Sequence, residues 1–172
     1  IYHDGKVGGV NVDGNDRFAL DGNRLIVTNS GAYGAHQTQY HTEVETFNHV
    51  VSEGTLGSGP HRFMVLTKDG LILEYGNTPD SRFTAVGGTV IFWRVNKITD
   101  QNGNFIAYVY NNDNNESRIE EINYTGNAGL QPYNQIKFYY SSRDDNNEQW
   151  IAGIDAKIKS NLLLRMIRVY AE

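Results

Sequence analysis

The sequence predicts an all-β protein of successive antiparallel hairpins forming a curled sheet or a sandwich, and three observations carry that prediction. Asp-Gly and Asn-Gly pairs recur between short apolar stretches, at Asp4-Gly5, Asp13-Gly14, Asp21-Gly22, Asp69-Gly70 and Asn102-Gly103. These residues tolerate the positive φ that a type I′ turn needs at both central positions. Apolar and polar residues alternate beside several of these pairs, as a half-buried strand requires. The composition agrees, because 19 Asn and 18 Gly against 3 Pro supply many tight turns.

Taken in order, residues 18–27 (FALDGNRLIV) place two strands around Asp21-Gly22. Residues 42–51 are long enough for a helix, but their Thr, Val and Phe favour a strand. Residues 63–76 (FMVLTKDGLILEYG) turn at Asp69-Gly70 and put Leu71, Leu73 and Tyr75 on one face. Residues 93–110 turn at Asn102-Gly103, with Trp93, Val95 and Lys97 alternating against Arg94, Asn96 and Ile98. Residues 119–124 pair with 135–140, where Ile136, Phe138 and Tyr140 share a face, across a longer loop. The polar runs 111–117 (NNDNNES) and 141–148 (SSRDDNNE) read as exposed loop tips. In residues 150–164 the spacing of Ile151, Ile154, Ile158 and Leu162 is near-helical, yet Gly153 and the tail MIRVY favour two short strands. Gly22, Gly70 and Gly103 are the expected turn residues, and Leu71, Leu73, Trp93, Ile136 and Phe138 the expected packing residues.

A length of 172 residues suits one domain with a real core. No apolar run approaches the ~20 residues of a spanning helix. With 15 Lys and Arg against 20 Asp and Glu, the net charge of −5 has the wrong sign for a general phosphate-binding surface. Nucleic acid is therefore not an expected partner. The absence of Cys removes disulfides and thiolate zinc sites, and it permits export without requiring it. The opening IYHDGKVGG is neither a signal peptide nor a start methionine, and the last residues form an apolar strand with an open edge. The expectation is one β-rich domain over residues 1–172, excised from a much larger protein whose sheet continues.

Candidate chemistry is sparse. Glu43 and Glu45 (TEVETF) have the E-x-E spacing with which ADP-ribosyltransferases hold the nicotinamide ribose, but the alternation of an amphipathic strand already explains them. No companion Arg or Ser-Thr-Ser strand accompanies the pair. His3, His36, His41, His49 and His61 lack H-x-H or H-E-x-x-H grouping. Asp13-Gly14-Asn15-Asp16, with Asp144 and Asp145, is oxygen-rich enough for calcium yet lacks the closing Glu of an EF-hand loop, so turn chemistry is the better account. Ser30, Ser52 and Ser58 have no placed His and Asp, and the glycine-rich segments 54–59 and Gly87-Gly88 lack a P-loop lysine. Trp93, Trp150 and the 11 Tyr could stack sugars, though aromatic residues are also good cross-strand partners. No catalytic residue, cofactor site or metal site is expected.

The order of strings DRFALDGNRLIV, YHTEVETFNHVVSEG, GPHRFMVLTKDGLILEYGNTPDSRF, WRVNKITDQNGNFIAYVYNN, INYTGN and PYNQIKFYYSSRDD resembles the N-terminal domain shared by SpvB-type virulence proteins and the B component of Tc insecticidal toxin complexes. The likeness runs from about Asp16 to Tyr170. Lys68-Asp69-Gly70 with Glu74-Tyr75-Gly76, and Tyr124-Thr125-Gly126-Asn127, carry most of it. DQNGNFIAY, residues 100–108, is also similar to a degenerate RHS/YD repeat.

The resemblance implies a segment of an RHS-type β-sheet shell, as in the wall of the Tc cocoon that encloses a toxic C-terminal segment. It implies a secreted bacterial protein whose partners are the remaining shell segments and other toxin-complex subunits. In SpvB-type proteins the ADP-ribosyltransferase elements belong to a separate domain, so Glu43 and Glu45 inherit no role. The expected function is a non-enzymatic structural segment, with a β-sandwich carbohydrate-binding or adhesion module as the alternative.

Overall fold

The structure is a computed structural model that describes residues 2–3, 6–7, 11–84, 88–151 and 156–171. Fifteen strands follow in order among them: β1 (Tyr2–His3), β2 (Lys6–Val7), β3 (Ala19–Leu20), β4 (Asn23–Val27), β5 (Gln39–Thr42), β6 (His49–Glu53), β7 (Arg62–Leu66) and β8 (Ile72–Tyr75). After a 3-10 turn at Pro79–Ser81 come β9 (Arg82–Thr84), β10 (Val90–Trp93), β11 (Val95–Thr99), β12 (Phe105–Asp113), β13 (Glu116–Gly126), β14 (Asn134–Ile151) and β15 (Ala156–Tyr170). Eleven of these form one open antiparallel sheet in the order β15-β14-β13-β12-β11-β8-β7-β6-β5-β4-β3, while β1-β2 and β9-β10 are separate two-stranded sheets. No helix among the described residues is long and apolar enough to cross a membrane.

Turn chemistry explains three of the reversals directly. Asp21 (φ 48°) and Gly22 (φ 80°) make the two-residue type I′ turn between β3 and β4. Asp69-Gly70 and Asn102-Gly103 differ from the expected type. In both, a type I turn is followed by a left-handed glycine, with Thr67 N–H donating to Leu71 O (2.9 Å) in one loop and Asp100 N–H to Asn104 O (2.9 Å) in the other. This three-residue loop needs positive φ only at its glycine, so Asp69 and Asn102 keep ordinary φ. Asp100 adds an anchor, accepting the Asn102 and Asn104 amides (2.8 and 2.9 Å). At Gly70 a valine would face both φ +81° and the Gln101 side chain, which folds over the loop. We expect Gly70→Val to cost at least ~1 kcal/mol; equal denaturant midpoints for variant and parent would refute this.

Four local expectations need correction. Asp13-Gly14 makes no hairpin: Asp16 Oδ2 gathers the Asn11 and Asp13 amides (3.0 and 3.2 Å) and Asp13 Oδ1 accepts the Asn15 amide (2.8 Å), giving a self-bonded loop. Residues 42–51 are two strand ends, β5 and β6, joined by a loop at 43–48. The run 111–117 is the tip of the β12-β13 hairpin, a tight turn at Asn114-Asn115 (φ 55° and 62°) flanked by paired strand ends, whereas 141–148 is not a loop tip but part of the long strand β14, its two ends paired with β15. Trp93 and Lys97 do not share one strand. Arg94 separates β10 from β11, its N–H donating to Ser81 O (2.8 Å) and its C=O accepting from Gly76 N–H (2.9 Å). Residues 150–151 and 156–164 are strand, as expected, but belong to two long strands, β14 and β15. Asp4-Gly5, Gly153 and Ile154 lie outside the described residues.

The core sits on one face of the sheet's N-terminal half. Leu25, Tyr40, Val50, Phe63 and Val65 are each 6% exposed or less, and Phe18, Leu20, Tyr33, Leu73, Tyr75 and Trp93 pack on them. The β9-β10 excursion delivers Trp93 to this cluster, and its indole N–H donates to Pro60 O (3.1 Å). Burial raises the phenols of Tyr33, Tyr75 and Tyr110 to about 12 from 10. A phenol with a raised folded-state value stabilises fully below pH 10, and that contribution is lost as pH climbs from 10 to 12. The thermal midpoint should fall over that window in step with phenolate absorbance; a flat midpoint would show these tyrosines to be solvated.

Candidate interaction surface

The register draws one apolar row across nearly the whole sheet. Val27 pairs with Tyr40, Tyr40 with Val50, Val50 with Val65, Val65 with Leu73, Leu73 with Ile98, and Ile98 with Ile106. Two residues further along β12 on the same face, Tyr108 pairs with Ile122, Ile122 with Ile136, and Ile136 with Val169. Residues paired across an antiparallel ladder share a face, so these apolar side chains form one continuous surface. Its exposure changes along the way. Tyr40, Val50 and Val65 are 1–2% exposed, whereas Ile106 is 37%, Ile167 53% and Val169 64% exposed.

Among the described residues, the covering layer of Phe18, Tyr33 and Trp93 lies on the N-terminal half. Beyond β11 the same face carries Ile122, Ile136, Phe138 and Ile167 half-buried or exposed. The opposite face of that half is polar and pairs with itself. Lys137 Nζ lies 2.9 Å from Glu121 Oε1, Gln135 donates to Asn123 Oδ1 (2.8 Å), the Tyr139 and Tyr170 hydroxyls are 3.1 Å apart, and the Arg168 guanidinium lies 5.4 Å from the Tyr139 ring centre. An antiparallel sheet with one polar and one apolar face is built to bury the apolar one. Glu121 holds the Lys137 ammonium above its usual range.

The residues singled out from the sequence are not brought together. Glu43 and Glu45 lie in the 43–48 loop rather than on a strand face; Glu45 Oε1 accepts the Phe47 amide (2.6 Å) and Oε2 lies 3.6 Å from His41 Nδ1. His36 Nδ1 accepts the Gly54 amide (2.9 Å), His49 is exposed on β6, and the His3 side chain is outside the described residues. His61 Nε2 sits 2.9 Å from Arg82 Nη1, and partial burial together with the Arg82 and Arg62 charges pushes it below the usual histidine range. Arg143 grips Asp145 through two N–H donors (2.8 and 2.7 Å) and holds it at about 2, so that carboxylate is spent as an ion pair. Among the described residues no three His, Asp or Glu converge as metal ligands.

Ser52 is fully buried and donates to Ala35 O (2.6 Å), a structural task. Gly54 takes positive φ (65°) directly after β6, Gly57 takes positive φ (59°) in a tight turn closed between Leu56 and Gly59, and Gly87 lies outside the described residues. Trp93 is engaged in the core, its ring edge-on to Phe18 and Phe63 at 5.5 and 5.2 Å, while Trp150 is 61% exposed with Lys157 Nζ 4.9 Å from its ring centre. Of the expected packing residues, Leu73 and Trp93 join the core, and Ile136 and Phe138 lie on the uncovered surface. Ile106, Tyr108 and Ile122 are not singled out by a hairpin-by-hairpin reading, although their alternation is present in the sequence.

Residues 21–150 match the family described as SpvB, Salmonella virulence plasmid 65kDa B protein. Among solved structures, the N-terminal domain of effector protein SpvB from Salmonella typhimurium strain LT2 superposes with a TM-score of 0.70 at 16% identity, over 87% of this chain and 67% of that one. A TcdB2-TccC3-TEV crystal structure gives 0.71 at 16% identity over 95% of this chain, and the Photorhabdus luminescens Tc holotoxin pore gives 0.67 at 14% over 87%. This chain spans 11% and 10% of the length of those two chains. No curated protein matches.

Proposed function

Because this chain belongs to the SpvB family, we propose that it is a non-enzymatic structural segment of a secreted bacterial toxin, one β-rich domain of an RHS-type shell that encloses or presents a toxic effector. Its partners are the remaining shell segments and other subunits of a toxin complex. The observation that supports this most directly is the apolar row that continues uncovered from β11 to β15. A sheet with that surface serves enclosure, which needs backbone pairing and face-to-face packing rather than reactive side chains.

Single cysteines provide the test, since the sequence has none of its own. Placed at Ile106, Ile167 and Val169, they should react with a water-soluble maleimide at least about tenfold more slowly in the whole toxin protein than in the isolated chain, as expected for burial in an assembly. A cysteine at Asn114, on the β12-β13 turn, serves as the exposed control. Equal rates at the three apolar sites in both settings would overturn the proposed shell packing.

A further inference from the structure

Between the covered half of the sheet and the segments lying on it is a cavity of about 640 Å³, within the range of roughly 300–1,000 Å³ usual for small-molecule sites. Leu25, Val50 and Val65 contribute its floor, and Phe18, Tyr33, Tyr75, Phe92 and Trp93 its aromatic walls. Among the described residues, the charged ones on its lining are Asp13, Asp16, Asp21 and Arg17, three carboxylates against one guanidinium. Arg17 lies 5.0 Å from the Tyr33 ring centre and donates to Gly14 O (2.9 Å), so one wall already holds a cation over a ring face.

Asp21 differs from the other two acids. Asp16 and Asp13 accept amides of their own loop, whereas Asp21 stands at the exposed tip of the β3-β4 turn, and no hydrogen bond or ion pair to its carboxylate occurs among the described residues. It lines the cavity together with Tyr75, whose phenol is raised first by burial and then by the Asp21 charge. Aromatic faces and a carboxylate without a counter-ion attract the same ligand, an apolar body bearing positive charge. An anion would meet a net negative lining, and a purely apolar ligand would leave Asp21 unused. We propose that this cavity binds a small organic cation, an aromatic or branched ammonium whose apolar part lies against Phe18, Tyr75 and Trp93 and whose charge lies beside Asp21.

Benzyltrimethylammonium is the probe, titrated into the full chain carrying Trp150→Phe so that Trp93 alone reports fluorescence. Saturable quenching and a raised unfolding temperature are expected. Neopentylbenzene, the neutral isostere, should bind about tenfold more weakly, as one unit of cation recognition predicts. Asn tolerates the left-handed conformation at position 21, so Asp21→Asn should fold and erase most of that tenfold preference. No saturable response to the ammonium would overturn the proposal. So would equal affinity for the neutral isostere, or a preference for charge that survives Asp21→Asn.

Discussion

Replacing Phe63 with alanine is expected to lower the unfolding free energy by about 3–5 kcal/mol, the cost of removing a buried aromatic ring from a packed core. Phe63 is 6% exposed and lies edge-on to Phe18 at 5.1 Å, Trp93 at 5.2 Å and Tyr40 at 6.4 Å. Its ring therefore joins the sheet to both segments that cover it, the chain leading into β3 and the β9-β10 excursion. The loss should appear as a lower urea midpoint with an unchanged slope, because the fold stays cooperative. Truncating Val169, which lies on the same apolar face but is 64% exposed, should cost well under ~1 kcal/mol. Comparable losses at the two sites would contradict the division of that face into a covered and an uncovered half.

The second large effect is expected at Glu116. Between Ser142 and Asn147 the register of β14 against β15 jumps, so that four β14 residues (143–146) stand opposite Asn161 alone. The β12-β13 turn fills the gap. Asn115 O accepts the Lys159 amide (2.9 Å), and the Glu116 carboxylate, on a residue 9% exposed, accepts the amides of Asn161 (3.0 Å) and Leu162 (3.1 Å). Hydrogen bonds to a charged acceptor contribute about 1.5–3 kcal/mol each, and a donor left unpaired by a truncation carries its own desolvation penalty. Glu116→Ala should therefore destabilise by at least about 3 kcal/mol and Glu116→Gln by less, since one carbonyl oxygen remains. Hydrogen exchange at Asn161 and Leu162 should accelerate in the alanine variant ahead of global unfolding. Unchanged exchange at both amides would show that the carboxylate does not hold β15.

The turns at Asp21-Gly22, Asp69-Gly70 and Asn102-Gly103 were legible in the sequence because turn conformation is decided within a few residues. Their type was less legible. Whether a Gly closes a two- or a three-residue loop depends on which flanking residues pair, as the Thr67–Leu71 closure shows. The polar run 141–148 read as a loop because nothing local favours a strand there. Its ends, 141–142 and 147–148, pair with β15, while 143–146 lie at the register jump, an arrangement that only the partner strand decides. The turn at Asn114-Asn115 falls inside the run 111–117 that reads as a loop tip, but a run of polar residues gives no sign of which two of them make the turn. Glu43 and Glu45 show the converse, alternation without a neighbouring strand to fix it.

The sequence by itself determined the class of fold, the positions of most reversals and which side chains alternate toward an apolar face, since these follow from backbone preferences and the two-residue period of a strand. Tertiary structure alone decided which half of that face is covered, that Trp93 is core rather than platform, and that Glu116 serves as a clamp. Those outcomes depend on contacts between residues tens of positions apart, and burial is a property of the assembled sheet rather than of any segment within it.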